Sequence, residues 1–317
     1  MPTYPTWAED LGHGVHAIDT GFHRPRFDAA YLLVEDGRAA FIDTGTNAAL
    51  PRLLGLLDVL ELPRDAVDHV IPTHVHLDHA GGVGALMREL PAATLWVHPR
   101  GLRHMVDPSQ LYAGALAVYG QAEMDRSYGR LLPVAAERVR ATDDGGTIRL
   151  AGRALQVAHT PGHARHHHCL WDERTRGWFS GDTFGMSYPE FDTAVGAWIV
   201  PTTTPVQFEP EPLKASVRRL LAAEPACVYL THYGRVVDVP RLGAQLLSFI
   251  DAVVAVARAA PTGEARLAVL QQSLRALYID SLRAHGCALG QDRIEALMAL
   301  DIGLNALGLV AWLDRDT

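Results

Sequence analysis

Apolar residues fall in short runs through most of this chain and in longer, helically spaced sets near its end. The short runs read as strands. Residues 14–19 form one. Tyr31-Leu32-Leu33-Val34 and Ala39-Ala40-Phe41-Ile42 form a pair, joined by Glu35-Asp36-Gly37-Arg38, whose Asp-Gly centre signals a hairpin. Residues 67–71, 94–97, 155–158, 177–179 and 227–230 are further β-prone runs, and Asp143-Asp144-Gly145-Gly146 and Ala151-Gly152 break the stretch 137–158 into short strands. Helices are predicted at 47–60, with Leu50, Leu53, Leu54, Leu57 and Leu60 on one stripe, from residue 80 onward, and at 211–223, where Pro212 is allowed in the first turn. Residues 109–131 carry no strand signal, and Leu111, Tyr112, Leu116, Tyr119 and Met124 are spaced for a helix. Beyond Pro240, residues 242–259, 264–285 and 291–313 read as three helices, the last apolar nearly all round and so buried on several sides.

Composition narrows this picture. A chain of 317 residues exceeds what one ordinary core needs, so a large domain with an appendage, or two domains, is expected. Its 48% hydrophobic and 20% charged residues are those of a soluble globular protein. The net charge of −8 argues against a nucleic-acid partner, which needs a positive footprint. Cys169, Cys227 and Cys287 are odd in number and far apart, which implies buried thiols and no disulfide framework. Residues 1–9 have neither a basic region nor an apolar run, and no stretch of about eighteen residues is free of charge and Pro. A cytoplasmic protein with no membrane partner is therefore expected.

The chemistry is concentrated in Thr73-His74-Val75-His76-Leu77-Asp78-His79, which follows the run 67–71 and precedes a helix start. Three imidazoles and a carboxylate on one strand-to-helix loop are costly to bring together without a cation, and these donors suit zinc, iron or manganese. Neither a Gly-x-Ser-x-Gly elbow nor a phosphate-binding Gly-rich loop occurs, so this cluster is the chemistry the sequence advertises.

The pattern H-x-H-x-D-H resembles the signature of the metallo-β-lactamase superfamily, which includes glyoxalase II-like hydrolases. The resemblance requires three more ligands downstream, in the order His, Asp, His, at strand ends. His163 in Thr160-Pro161-Gly162-His163, Asp182 in Ser180-Gly181-Asp182-Thr183 and His232 in Leu230-Thr231-His232-Tyr233 meet that demand. It implies a dinuclear centre: His74, His76 and His163 on one divalent ion, Asp78, His79 and His232 on the other, and Asp182 bridging, with Asp78 and Asp182 as the catalytic carboxylates. Zinc is the expected ion, with iron or manganese as alternatives. The fold implied is α/β, a four-layer αβ/βα sandwich with a helical C-terminal extension, divided as 1–237 for the metal-binding domain and 238–317 for the helices. Asp43, in Asp43-Thr44-Gly45, falls where the family has an Asp beneath the metal site, and it reads equally as a carboxylate that steadies a ligand imidazole or as a plain turn residue. His167 stands where glyoxalase II-like proteins often have a second His. His159, His166 and His168 read as neighbours of the ligands or as solvent-facing, and His98, His104 and His285 as ordinary surface or core residues.

The function implied is a hydrolase in which a metal-bound hydroxide attacks an ester-like acyl bond, a thioester or a lactone, of a small-molecule substrate. The alternative is a non-hydrolytic iron protein on the same scaffold, either a persulfide dioxygenase or a diiron oxygen-binding or redox protein. The run after Asp182 holds no Lys, and Tyr233-Gly234 stands where glyoxalase II has Glu-Tyr, which argues against a glutathione carrier. The loop 184–191 and the insertion 109–131 are expected to line the pocket; no well-placed acid is evident, and Tyr188 and Tyr233, the candidate donors, have an ordinary pKa of about 10. The C-terminal helices from about Pro240 are expected both to close one side of the pocket and to mediate self-association, with a homodimer as the candidate assembly, because the last helix is too apolar to face water.

Overall fold

The computed structural model describes residues 3–203 and 206–316. It divides into two compact units. The first runs up to His159 and takes in His166–Gly181 and Ala226–Arg235; the second holds Thr160–Arg165, Asp182–Pro225 and the chain from Val236 onward.

The first unit opens with β1 (Ala8–Asp10), β2 (Val15–Asp19), β3 (Ala29–Glu35) and β4 (Arg38–Ile42), then α1 (Leu50–Val59), β5 (Val67–Ile71), α2 (Leu77–Ala80), α3 (Val83–Glu89), β6 (Thr94–Val97), α4 (Leu102–Val106), α5 (Ser109–Tyr119), α6 (Gln121–Glu123) and β7 (Val139–Ala141). These seven strands form one sheet in chain order, antiparallel from β1 to β4 and parallel from β4 to β7. The second sheet, β8 (Thr147–Leu150), β9 (Arg153–His159), β10 (His168–Asp172), β11 (Gly177–Gly181), β12 (Cys227–Leu230) and β13 (Gly234–Val236), is antiparallel from β8 to β11 and parallel from β11 to β12. The predicted hairpin is present: Glu35 faces Arg38, and Asp36 (φ 45°) and Gly37 (φ 74°) both take the left-handed conformation a two-residue turn requires.

Side-chain alternation decides what each strand face does. Tyr31, Leu33, Ala40 and Ile42 of the first sheet share a core with Leu155, Val157, Leu170, Phe179 and Tyr229 of the second. Their neighbours Leu32, Phe41, Val70 and Leu95 turn the other way and pack on Leu53, Leu56 and Leu57 of α1 and Val83, Leu86 and Met87 of α3. The α1 stripe differs from the prediction. Leu56 joins Leu53 and Leu57 in the core, while Leu50, Leu54 and Leu60 are only half-buried, because the sheet meets one narrow edge of the helix.

The second unit contains α7 (Pro210–Leu221), α8 (Val239–Ala259), α9 (Arg266–Ala284) and α10 (Gln291–Asp316), close to the predicted helices. Trp198 anchors its core, packing edge-on against Phe191, Phe249 and Tyr278 and donating to Ser281 Oγ. Phe184, Met186, Tyr188 and Phe191 are at most 2% exposed. They fill this core, so the loop 184–191 is not the pocket lining expected from its sequence. Length and composition alone would let α8 and α10 cross a membrane. In this unit α8 buries Leu242, Leu246, Phe249, Ile250, Val253 and Ala257, the single apolar face of a core helix.

Candidate metal centre

In the first unit, β5 ends at Ile71 and the chain turns through His74 and His76 into α2, which carries Asp78 and His79. β12 ends at Leu230 and delivers His232 two residues later. The donor atoms of Asp78, His79 and His232 all lie within 4.8 Å of one another. His74 Nε2 is 2.6 Å from His76 Nδ1. His74 and His79 are buried, while Asp78 keeps 23% of its side chain exposed, so the group opens to solvent on the Asp78 side.

Asp43 resolves its two readings in favour of a steadying carboxylate. It is 1% exposed and its Oδ2 lies 2.9 Å from His79 Nδ1. It also accepts from Thr73 N at 2.7 Å, Thr73 Oγ1 at 3.0 Å and Thr231 Oγ1 at 2.7 Å. One carboxylate after β4 therefore ties together the ends of β5 and β12, which are the two strands that carry the ligand candidates of this unit.

In the second unit, His163 lies in the loop after β9 and Asp182 follows β11 directly. His163 Nε2 is 3.2 Å from Asp182 Oδ2, and both residues are buried. Gly181, the residue before Asp182, has φ 46°, and a Cβ there would come within 2.5 Å of Thr73 Oγ1 and 2.7 Å of His167 Nε2. Glycine is thus required by both conformation and space.

A common arrangement runs through these imidazoles. His79 turns Nδ1 to Asp43 and Nε2 toward Asp78 Oδ2, 3.8 Å away. His232 turns Nδ1 to Phe27 O at 3.3 Å and Nε2 toward Asp78 Oδ2 at 3.5 Å. His163 turns Nδ1 to Thr202 Oγ1 at 2.7 Å and Nε2 toward Asp182. A neutral imidazole that gives its Nδ1 proton outward presents Nε2 as a lone pair, the form in which histidine binds a metal. The residues present therefore form His/Asp clusters that fit a divalent metal.

The remaining histidines are mostly internal. His166 and His168 are 8% and 0% exposed, so neither faces solvent, and His166 is a neighbour of the ligand candidates, 5.3 Å from His76 and 6.1 Å from His74 between ring centres. His168 lies between Thr142 Oγ1 at 2.9 Å and Pro72 O at 2.9 Å, and burial holds its pKa down to about 3. His98, tilted against His159 at 4.2 Å, is held to about 4, first by burial and then by that second imidazole. His167 is fully buried and stacks on His74 at 4.8 Å.

An aromatic row also leads away from His232. Phe27 meets it edge-on at 5.7 Å, Phe22 packs on Phe27 at 5.9 Å, and Tyr128 packs on Phe22 at 5.6 Å and on Tyr119 at 5.3 Å. Asn47 holds the end of the insertion through Tyr128 O and Arg130 O. The insertion thus joins the row at its far end, where Tyr128 and Tyr119 pack on each other and Tyr128 on Phe22. Tyr128 and the loop 22–27 were missed because nothing periodic marks them. Tyr188 is 1% exposed and donates to Asp301 Oδ1 at 3.1 Å, and burial pushes the Tyr233 hydroxyl up to about 12.

Comparison with known proteins gives concordant results. The profile of the Metallo-beta-lactamase superfamily matches residues 23–232, a stretch that contains all seven predicted ligands. The metallo-beta-lactamase fold-containing protein ST1585 of Sulfurisphaera tokodaii is 25% identical over 234 residues, 70% of this chain and 79% of that protein. Its crystal structure superposes with a TM-score of 0.68 at 21% identity, covering 96% of this chain and 100% of that one, which establishes the common fold with its mixed sheets and C-terminal helices. The human acyl-coenzyme A thioesterase MBLAC2 is 30% identical over 192 residues, 55% of this chain and 64% of that protein. A hydroxyacylglutathione hydrolase of Salmonella paratyphi A is 29% identical over 163 residues, 50% of this chain and 49% of that one.

Proposed function

Because the chain belongs to the metallo-beta-lactamase superfamily, we propose that it is a dinuclear metal-dependent hydrolase of ester-like acyl bonds, with a thioester as the first choice and a lactone as the second. The observation that carries this reading is the convergence of outward-anchored imidazoles on Asp78 and Asp182. In it, His74, His76 and His163 hold one ion, Asp78, His79 and His232 hold the other, and Asp182 is shared. Zinc is the ion we assign. When bound, such ions supply hydroxide near neutral pH and polarise a carbonyl. The chain's own residues do the rest: Asp43 and Phe27 O orient His79 and His232, and the Phe27 ring packs edge-on against His232.

The leaving group favours the thioester. An amide nitrogen must be protonated to depart, whereas a thiol with a pKa of about 8.5 leaves as the thiolate. Tyr188 is buried on Asp301, and Tyr233 is a weak acid with its pKa raised by burial. Neither serves as the donor an amide would need. The names of the human and Salmonella relatives, which specify hydrolysis of acyl-coenzyme A and of hydroxyacylglutathione, support an acyl thioester. The partner is a small molecule, with neither nucleic acid nor a membrane, and the site of action is the cytoplasm.

The test is a panel of acyl thioesters, lactones, phosphodiesters and β-lactams, assayed with zinc-, manganese- and iron-loaded protein. Thioester turnover above all other classes is expected. Phosphodiesterase activity well above the acyl activities overturns the bond assignment, and persulfide-dependent oxygen uptake by the iron form alone replaces hydrolysis with oxidation.

A further inference from the structure

We infer that Thr202 is a positioning residue for two of the proposed ligands at once, and that Asn305 in the middle of α10 holds it in place; this rests on the dinuclear reading above. Thr202 Oγ1 lies 2.7 Å from His163 Nδ1 and 3.4 Å from Asp182 O. A hydroxyl has one proton to give and two lone pairs. In the dinuclear reading Nε2 of His163 is given to the ion, so Nδ1 carries the ring proton and donates it to Thr202 Oγ1. The hydroxyl proton is then directed to the Asp182 carbonyl. One side chain fixes the tautomer and ring plane of His163 and also restrains the backbone from which the Asp182 carboxylate projects.

Thr202 cannot hold this position by itself, because it lies in a long connection between Asp182 and α7. Its neighbours are clamped by a single residue. Thr203 N donates to Asn305 Oδ1 at 2.7 Å, Thr203 Oγ1 donates to Asn305 O at 2.8 Å, and Asn305 Nδ2 donates to Pro201 O at 3.3 Å. Asn305 Nδ2 also reaches Tyr278 OH at 3.0 Å, which steadies the amide from α9. Thr203 is 1% exposed and Asn305 4%, so water does not compete for these bonds. One turn earlier on the same face of α10, Asp301 accepts from Tyr188 OH at 3.1 Å. The helix therefore grips the chain after Asp182 at two points. Packing alone gives an apolar helix no reason to bury an Asp and an Asn, since burying polar groups costs free energy unless they are bonded. Here both are bonded to the segment that carries Tyr188 and Thr202.

The test uses the full chain as wild type, Thr202→Val, Thr202→Ser, Asn305→Ala and the Thr202→Val/Asn305→Ala double variant. Zinc content, competition against a chromophoric chelator and the ligand-field spectrum of cobalt-loaded protein are read alongside melting of the metal-depleted chain. Thr202→Val has the shape of Thr without its hydroxyl. It should leave the metal-free melting temperature nearly unchanged, release one of two ions about 10–100-fold more readily, and alter the cobalt spectrum. Thr202→Ser should restore both readouts. Asn305→Ala should weaken the same ion, and the double variant should lose less than the two single losses multiplied together, because both act along one path. Should Asn305→Ala fail to fold, Asn305→Asp, which keeps the acceptor for Thr203 and loses the donor to Pro201, is measured instead; unchanged metal affinity in it overturns the role of α10. Equal weakening by Val and Ser overturns the hydrogen-bond assignment in favour of packing. Two tightly held ions in every variant overturn this inference alone, whereas a wild-type chain that takes up no ion overturns the dinuclear reading with it.

Discussion

The two groups of candidate ligands are fixed by different means. In the first unit, His79 is held by Asp43, a buried carboxylate that also accepts from Thr73 and Thr231 at the ends of two strands. In the second, His163 is held by the neutral hydroxyl of Thr202, whose neighbours hang on a helix from the far end of the chain. A hydrogen bond to a charged group is roughly twice as strong as a neutral one, and a sheet edge is stiffer than a long connection. The first group is therefore set by the sheets themselves. The second, on the inference above, depends on α10.

The largest expected effect comes from removing the proposed shared ligand. Asp182→Ala should weaken both ions together, by more than the ~10–100-fold typical of losing an outer hydrogen bond; loss of only one ion, measured by elemental analysis, would show that Asp182 does not bridge. Next in size, Asp43→Ala strands the groups bonded to its carboxylate in the interior. It should cost about 3 kcal/mol or more of stability and weaken the ion on His79, while the cobalt signature assigned to His163 stays. If both signatures changed equally, the two regions would not be independently anchored. Urea denaturation and cobalt spectra measure the two halves of this prediction.

Acid should act on the first region through His168, which bonds the carbonyl of Pro72 at the base of the ligand loop. Its pKa is about 3 in the folded protein, against an ordinary value of 6.5. Between these values the unfolded chain takes up a proton that the folded chain refuses, so this contribution is complete above pH 6.5 and drains away as pH falls. At about 1.4 kcal/mol per unit, lowering the pH from 6.5 to 5 should remove about 2 kcal/mol. His168→Gln should flatten that slope in the metal-depleted chain, and an unchanged slope would acquit His168. The smallest effect belongs to the outer side of α10. Leu300 and Leu307 are 38% and 36% exposed, and they are the surface we propose for pairing with a second copy. Changing both to Glu should weaken any dimer about tenfold, on the order of 1.4 kcal/mol, with activity per chain retained; light scattering that finds a monomer before the change removes the prediction.

Much of this was legible from the sequence because it is local. The run from His74 to His79 carries its donors within six positions, and His163, Asp182 and His232 each follow a short β-prone run that does form a strand. The hairpin at Asp36-Gly37 was legible for the same reason. What escaped is non-local. Tyr188 meets Asp301 across 113 residues and Thr203 meets Asn305 across 102, and no spacing rule joins them. The loop 184–191 looked like a pocket wall because it is aromatic and irregular, and it is buried for the same aromatic content. His166 and His168 looked polar enough for solvent; the bonds that let an imidazole sit inside, such as His168 to Pro72 O, come from residues far away in sequence.

The distance between Thr203 and Asn305 also sets an order of events during synthesis. A ribosome that has delivered Thr203 must add 102 more residues before the residue that clamps it exists. By then Asp43, Thr73 and Thr231 have all emerged or are about to, and the sheets can close around the first group as the chain lengthens. The connection carrying Thr202 has to wait until the middle of α10 has been made. A nascent chain that has not yet delivered Asn305 can therefore complete its sheets and still lack the clamp on the connection beside His163.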